Sequence, residues 1–145
     1  MTATKTLPHP SFDRLTGVAL PPEQLARLLE GDAAALPSGH SMREVTQRLK
    51  TVLALTQDET ARLLGVSRST VLKNGPPSVD VLDRLYALGR SLDVMTQVLG
   101  EHAPAWFRLP NPALSGARPL DKFRSRYGQE QVEQLIQGLL DGNFL

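Results

Sequence analysis

The chain predicts an all-α fold, an N-terminal helical bundle that contains a helix-turn-helix, followed by a smaller helical module. Apolar residues recur at spacings of three and four along several short segments, and no segment shows the alternation of a half-buried strand. Ser or Thr in N-cap position, or Pro at a first helical turn, stands before those segments, and glycine follows many of them. Within residues 56–75, TQDETARLLGVSRSTVLKNG, two helical patterns flank a turn that opens with glycine.

Residues 1–20 contain scattered prolines and no sustained periodicity, which suits a mobile arm better than a packed element. Pro22 at a first turn starts a short helix through Glu30, with Leu25, Leu28 and Leu29 on one side and Gly31 as its end. Residues 32–40 read as a linker, so residues 1–40 form an N-terminal arm with one short helix. His9 and His40 have no partner at metal-ligand spacing and read as surface residues.

Residues 41–100 carry the helix-turn-helix. Ser41 and Glu44 form a capping box, and Met42, Val45, Leu49 and Val52 give an amphipathic helix to about Leu55. The polar side of that helix, with Arg43, Gln47 and Lys50, is either a solvated face or a set of phosphate contacts. Thr56 and Glu59 form a second capping box. Ala61, Leu63 and Leu64 are the packing face of the helix they start, and Gly65 supplies the positive φ that stops it.

Ser67 then caps a second helix whose Val71, with Val66 before it, turns inward. Arg68, Ser69, Leu72 and Lys73 face outward as candidate base readers, and Gln57, Ser67 and Thr70 join them as candidate DNA contacts. An ordinary helical hairpin would use the same residue types, but the spacing of Ala61, Gly65 and Val71 with two caps favours DNA binding. Pro76 and Pro77 cut the second helix short, so specific binding calls for two copies on two half-sites. Ser78 caps a further helix with Val81, Leu82, Leu85 and Leu88 inward, and another runs from Ser91 through Leu92, Met95, Val98 and Leu99 to Gly100.

At 145 residues the chain has room for one or two small domains. It has no cysteine, which excludes a disulfide framework, cysteine-ligated zinc and a thiol nucleophile. No apolar run approaches the ~20 residues of a membrane span, and the N-terminus lacks the pattern of an export signal; a cytoplasmic location is the expectation. Net charge is only +1. DNA binding must therefore rest on local charge, and residues 43–73 hold six basic side chains against three acidic ones.

Residues 101–145 differ in composition. Trp106 and Phe107 precede LPNPALSGARPLDKF, in which Asn111 can cap with Pro112 behind it and Pro119 can start a short helix through Phe123. Gly128 reads as a stop. A last helix from Gln129 to about Asp141 sets Val132, Leu135, Ile136, Leu139 and Leu140 in a full apolar stripe, closed by Gly142.

Taken with LLGVS at 63–67, the set Trp106, Phe107, Pro110, Asn111, Leu114, Gly116, Pro119, Leu120, Gly128, Val132, Leu135 and Gly142 resembles the Xre/MbcA/ParS family of antitoxins over roughly residues 41–145. The second set is far more restricted than the helix-turn-helix. The resemblance implies an Xre-like N-terminal part that binds operator DNA and dimerises, and a C-terminal toxin-binding module that blocks the nucleotide site of a RES-domain toxin. The NAD chemistry would belong to that partner. The family has Gly-Gly-Arg before its Pro-Leu pair, whereas here Ser115, Gly116, Ala117 and Arg118 displace the arginine by one position.

Candidate toxin contacts are Trp106, Gly116, Arg118, Pro119 and Leu120, with Asn143, Phe144 and Leu145 as an apolar terminal anchor. Trp106 reads first as a core anchor of the module. Arg118, Lys122, Arg124 and Arg126 against Asp121 are a solvated helix face or a partner-binding cluster. Three histidines far apart in sequence, with no phosphate loop and no metal spacing, predict no catalysis, no metal and no cofactor. The expected partners are a RES-domain toxin, operator duplex DNA and a second copy of the chain, with no membrane. The rival reading is a free-standing regulator whose C-terminal module only dimerises, and a third is an interaction scaffold with a degenerate helix-turn-helix.

Overall fold

The computed structural model describes residues 9–32, 35–36 and 40–142. The protein is all-α, with helices α1 (Pro10–Thr16), α2 (Pro22–Leu29), α3 (Met42–Leu53), α4 (Gln57–Leu64), α5 (Val79–Leu99), α6 (Ala103–Arg108), α7 (Pro119–Lys122) and α8 (Arg126–Leu140). Among the described residues there is no strand. One apolar cluster runs from the N-terminal stretch through to the last helix, taking in Leu15, Leu28, Leu49, Leu64, Leu92, Phe107, Phe123 and Ile136.

Helix α5 is the axis of that cluster, packing against α1, α2, α6 and α8. It is one helix of 21 residues, where two are expected with a break before Ser91. Ser91 is buried in mid-helix instead of capping a start. Gly89 lowers helix propensity by about 1 kcal/mol relative to Ala, yet its role is contact. A Cβ there would lie 2.9 Å from the backbone nitrogen of Phe12, so the missing side chain lets α1 cross α5 closely.

The expectation of an unpacked stretch over residues 1–20 is corrected by α1. Pro10 occupies its first turn, and Phe12, Leu15 and Val18 are buried. The Ser11 amide donates to Asp93 on α5 at 2.9 Å, and the Phe12 ring meets Tyr86 edge-on with centroids 5.9 Å apart. Seven residues are too few for periodicity to register, but a buried Phe and Leu contribute roughly 1.5–3 kcal/mol each, enough to hold about two turns in place. The two histidines are also packed: His9 lies edge-on to Tyr86 at 5.1 Å, and His40 Nε2 is 2.6 Å from the Gly17 carbonyl oxygen.

Helix starts follow the side chains with two amendments. Ser41 accepts the Glu44 amide at 3.1 Å, but the Glu44 carboxylate pairs with Arg48 at 2.9 Å, leaving the expected box half made. Helix α8 begins three residues earlier than expected, because Ser125 accepts the Gly128 amide at 3.0 Å as its N-cap. Gly128 is thus inside the first turn and is no stop; a Cβ there would collide with the Lys122 carbonyl.

Candidate functional site

The segment 56–75 starts as its sequence dictates. Thr56 Oγ1 accepts the Glu59 amide and Glu59 Oε1 accepts the Thr56 amide, both at 3.1 Å, completing the capping box of α4. Thr60, Ala61, Leu63 and Leu64 are buried, and Gly65 ends the helix at φ +67°.

The second helix is not formed. Only Thr70–Leu72 is helical, as a single 3-10 turn, with Lys73 already extended at ψ 151°. Short polar side chains satisfy one another locally: Ser67 Oγ lies 3.1 Å from Ser69 Oγ and 2.8 Å from Thr70 Oγ1, and accepts the Thr70 amide at 3.3 Å. The breaker Asn74-Gly75-Pro76-Pro77 follows within two residues, before an α-helix could repay its nucleation cost.

What replaces the helix is a loop sewn to α3. Carbonyls of Gly75 and Lys73 accept the amides of Met42 and Arg43 at 2.9 and 3.1 Å, and Thr46 Oγ1 lies 2.8 Å from the carbonyl oxygens of both Met42 and Val71. A groove of about 750 Å³ opens between α3, the start of α4 and this loop, with Arg43, Gln47, Lys50, Gln57, Arg68 and Leu72 on its walls. The expected readers Gln57, Ser67, Arg68, Ser69, Leu72 and Lys73 are exposed and Thr70 is half-buried. Arg68, 78% exposed, pairs with Asp58 at 2.7 Å. Leu72 is 46% exposed.

The C-terminal residues build a small layer on α5. Phe107 of α6 and Phe123 after α7 are fully buried with ring centroids 6.2 Å apart, and Trp106 meets Phe107 edge-on at 5.0 Å while remaining half-buried. Asn111 Oδ1 accepts the Ala113 amide at 3.0 Å, capping a 3-10 turn over Pro112–Leu114. Pro119 and Leu120 are buried in the chain's own core, Gly116 is exposed at φ +85°, and Asn143, Phe144 and Leu145 lie outside the described residues.

Arg118 joins this layer to α4. Its guanidinium grips Asp121 with two bonds of 3.0 and 2.8 Å, and Nη1 lies 3.0 Å from Glu59 Oε2. Arg108 adds a bond of 2.9 Å to the Leu53 carbonyl at the end of α3 and a longer approach of 3.9 Å to Glu59. The side chains of Arg118 and Glu59 are only 24% and 14% exposed. The Thr56 amide, with Arg118 and Arg108 beside it, holds the Glu59 carboxyl below its ordinary range; Arg118 does the same to Asp121, and those two carboxylates raise the Arg118 pKa.

The layer that Arg118 anchors lies within a recognisable unit. Residues 92–142 match the family model of the antitoxin Xre/MbcA/ParS C-terminal toxin-binding domain. This segment belongs to the Xre/MbcA/ParS antitoxins. The antitoxin domain opens inside α5, at Leu92, and contains α6, α7 and α8. No curated protein matches the chain. No described helix is long and apolar enough to cross a membrane.

Two features of the antitoxin domain escape a sequence reading. Leu109 and Tyr127 stand 60% and 72% exposed, apolar surface on a toxin-binding domain that periodicity could not separate from core. The Glu59–Arg118 link also escaped, because Glu59 was fully accounted for by its capping box; the displaced Arg118 beside Asp121 was the one visible sign of it.

Proposed function

We propose that this chain is the antitoxin of a type II toxin–antitoxin pair, binding and inhibiting a RES-domain toxin in the cytoplasm and repressing its own operon as a homodimer. The observation that carries the reading is the match of residues 92–142 to a toxin-binding domain. The chemistry on NAD belongs to the partner, and this chain contributes no catalytic group.

Toxin contact is assigned to Trp106, Gly116 and the exposed Leu109 and Tyr127 on the outer surface of that domain, with Asn143, Phe144 and Leu145, outside the described residues, as the terminal anchor. Pro119 and Leu120 support that surface from beneath, and Arg118 holds it to α4. Co-expression with the neighbouring reading frame tests the proposal. Growth arrest by that frame alone and rescue by this chain are expected, and a harmless frame or a failed rescue refutes it.

Operator binding is assigned to the loop 67–75 and the α4 N-terminus, with Arg68 and Lys73 as its charges. Because Thr70–Leu72 is a single turn, this surface would enter a groove as a loop and not as a helix. That feature favours the scaffold with a degenerate helix-turn-helix as the second reading. Gel shifts on the operon's own promoter separate the two.

A further inference from the structure

Where α4, α7 and the start of α8 meet, two hollows adjoin, one of about 230 Å³ and one of about 540 Å³, sharing Arg62, Asp121 and Arg124 in their walls. Five cationic side chains (Arg62, Arg84, Arg118, Lys122 and Arg124) face this cleft against two carboxylates, Glu59 and Asp121, a local excess of three positive charges in a chain whose net charge is +1. Two of the five are committed: Arg118 to Glu59 and Asp121, and Arg84 to the Leu63 carbonyl at 3.1 Å. The side chains of Arg62, Lys122 and Arg124 make no direct hydrogen bond or ion pair among the described residues, although Arg62 and Arg124 both act on the Asp121 carboxyl at longer range.

The arginines are brought together by the fold and not by a run in the sequence, since α4 supplies Arg62 and the α7–α8 connection supplies Arg124. Holding like charges around one concave site is unfavourable unless an anion completes it. A carboxylate ligand would leave most of the excess in place, whereas a phosphate matches both the charge and the planar donor forks of arginine. We propose that this cleft binds a phosphate group, held by Arg62 and Arg124 with Lys122 beside them, carried either by a nucleic-acid backbone or by a free polyphosphate. On α4 this site uses Glu59, Arg62 and Leu63, none of which lines the groove walled by Gln57 and Arg68, so it is separate from the operator assignment; Arg118 and Tyr127 are the wall residues it shares with the toxin assignment.

The test uses the full chain with two probes, inorganic pyrophosphate and a random-sequence duplex DNA, on the native protein, Arg62→Gln/Arg124→Gln, Lys122→Gln/Arg124→Gln and an Arg14→Gln control on α1. Circular dichroism and the ligand-free Tm establish that each variant is folded; the second pair leaves α4 untouched. For a free phosphate ligand, pyrophosphate at about a hundredfold excess over its Kd raises the native Tm by roughly 5 °C or more, and both double variants lose the shift while the control keeps it. For a backbone ligand, the slope of log K for DNA against log salt falls by about two in each double variant. Either result supports the site. Unchanged behaviour of the double variants in both arms overturns it, including the case in which only toxin neutralisation weakens, which would assign the cluster to an acidic protein surface.

Discussion

Arg118 places Nη1 3.0 Å from Glu59 Oε2, so the carboxylate that closes the capping box of α4 also receives the antitoxin domain. Both partners are largely removed from solvent, and Arg118 is doubly bonded to Asp121 at the same time. Arg118→Ala is expected to lower unfolding stability by about 1–3 kcal/mol, the range for hydrogen bonds to charged groups that leave a partner unpaired. Arg118→Lys should recover only part of this, because an ammonium cannot bond two carboxylates through a fork. Urea unfolding of the three proteins checks it; a change within about 0.5 kcal/mol for the alanine variant would mark the pair as ordinary surface.

The Thr56 amide on Glu59 and the Arg118 contact together set an acid limit. Glu59 and Asp121 have folded pKa values below their ordinary 4.5 and 3.8, so their contribution is fully present above those values and is lost as pH falls through the lower, folded ones. Stability is therefore expected to drop as pH falls below about 4.5, and Arg118→Met should flatten that drop. Urea midpoints measured along this pH series decide the matter, and parallel curves for the two proteins would contradict the link.

Gly89→Ala is expected to destabilise the chain by roughly 1–3 kcal/mol, as overpacking does, despite the gain in helix propensity of about 1 kcal/mol. The added methyl meets the backbone of Phe12, which cannot swing aside as a flexible side chain could. Thermal unfolding gives the sign; a stabilised variant would mean that α1 does not hold its crossing on α5.

Arg68 pairs through Nε with Asp58, whose carboxylate offsets the charge that DNA would meet. If the loop reads an operator, Arg68→Ala weakens binding about tenfold, in keeping with the ~1–3 kcal/mol of one good base contact, and Asp58→Asn tightens it. Gel shifts with both variants test this, with toxin neutralisation unchanged in each. Equal affinity for all three proteins removes the loop from the DNA surface.

Legibility followed how local each signal was. The α4 capping box, the stop at Gly65 and the Asn111 cap could be read because the groups that make them lie within three residues of each other. Helix α1 could not, because its case rests on Phe12 and Leu15 docking onto a helix about seventy residues away. Gly128 was read as punctuation and Gly89 was passed over, but each makes room for backbone from another element. The second half of the helix-turn-helix failed for a related reason. Its residue types fit the motif, but Ser67, Ser69 and Thr70 bond to one another and Pro76 leaves no length for a helix. At the candidate site the residue classes were legible and their occupancy was not: Arg118 was foreseen as outward-reaching, and the fold turns it inward onto Glu59.

Helix α5 carries the last consequence. The antitoxin domain begins at Leu92, yet the helix it begins in starts at Val79 and runs for 21 residues, about 31 Å at the usual rise. A truncation made at that boundary would saw through a strut, stripping the second half of the covalent continuity through which the first half orients it. The two halves share one continuous lever with no break in its helix, so a tilt imposed on one end would be carried to the other.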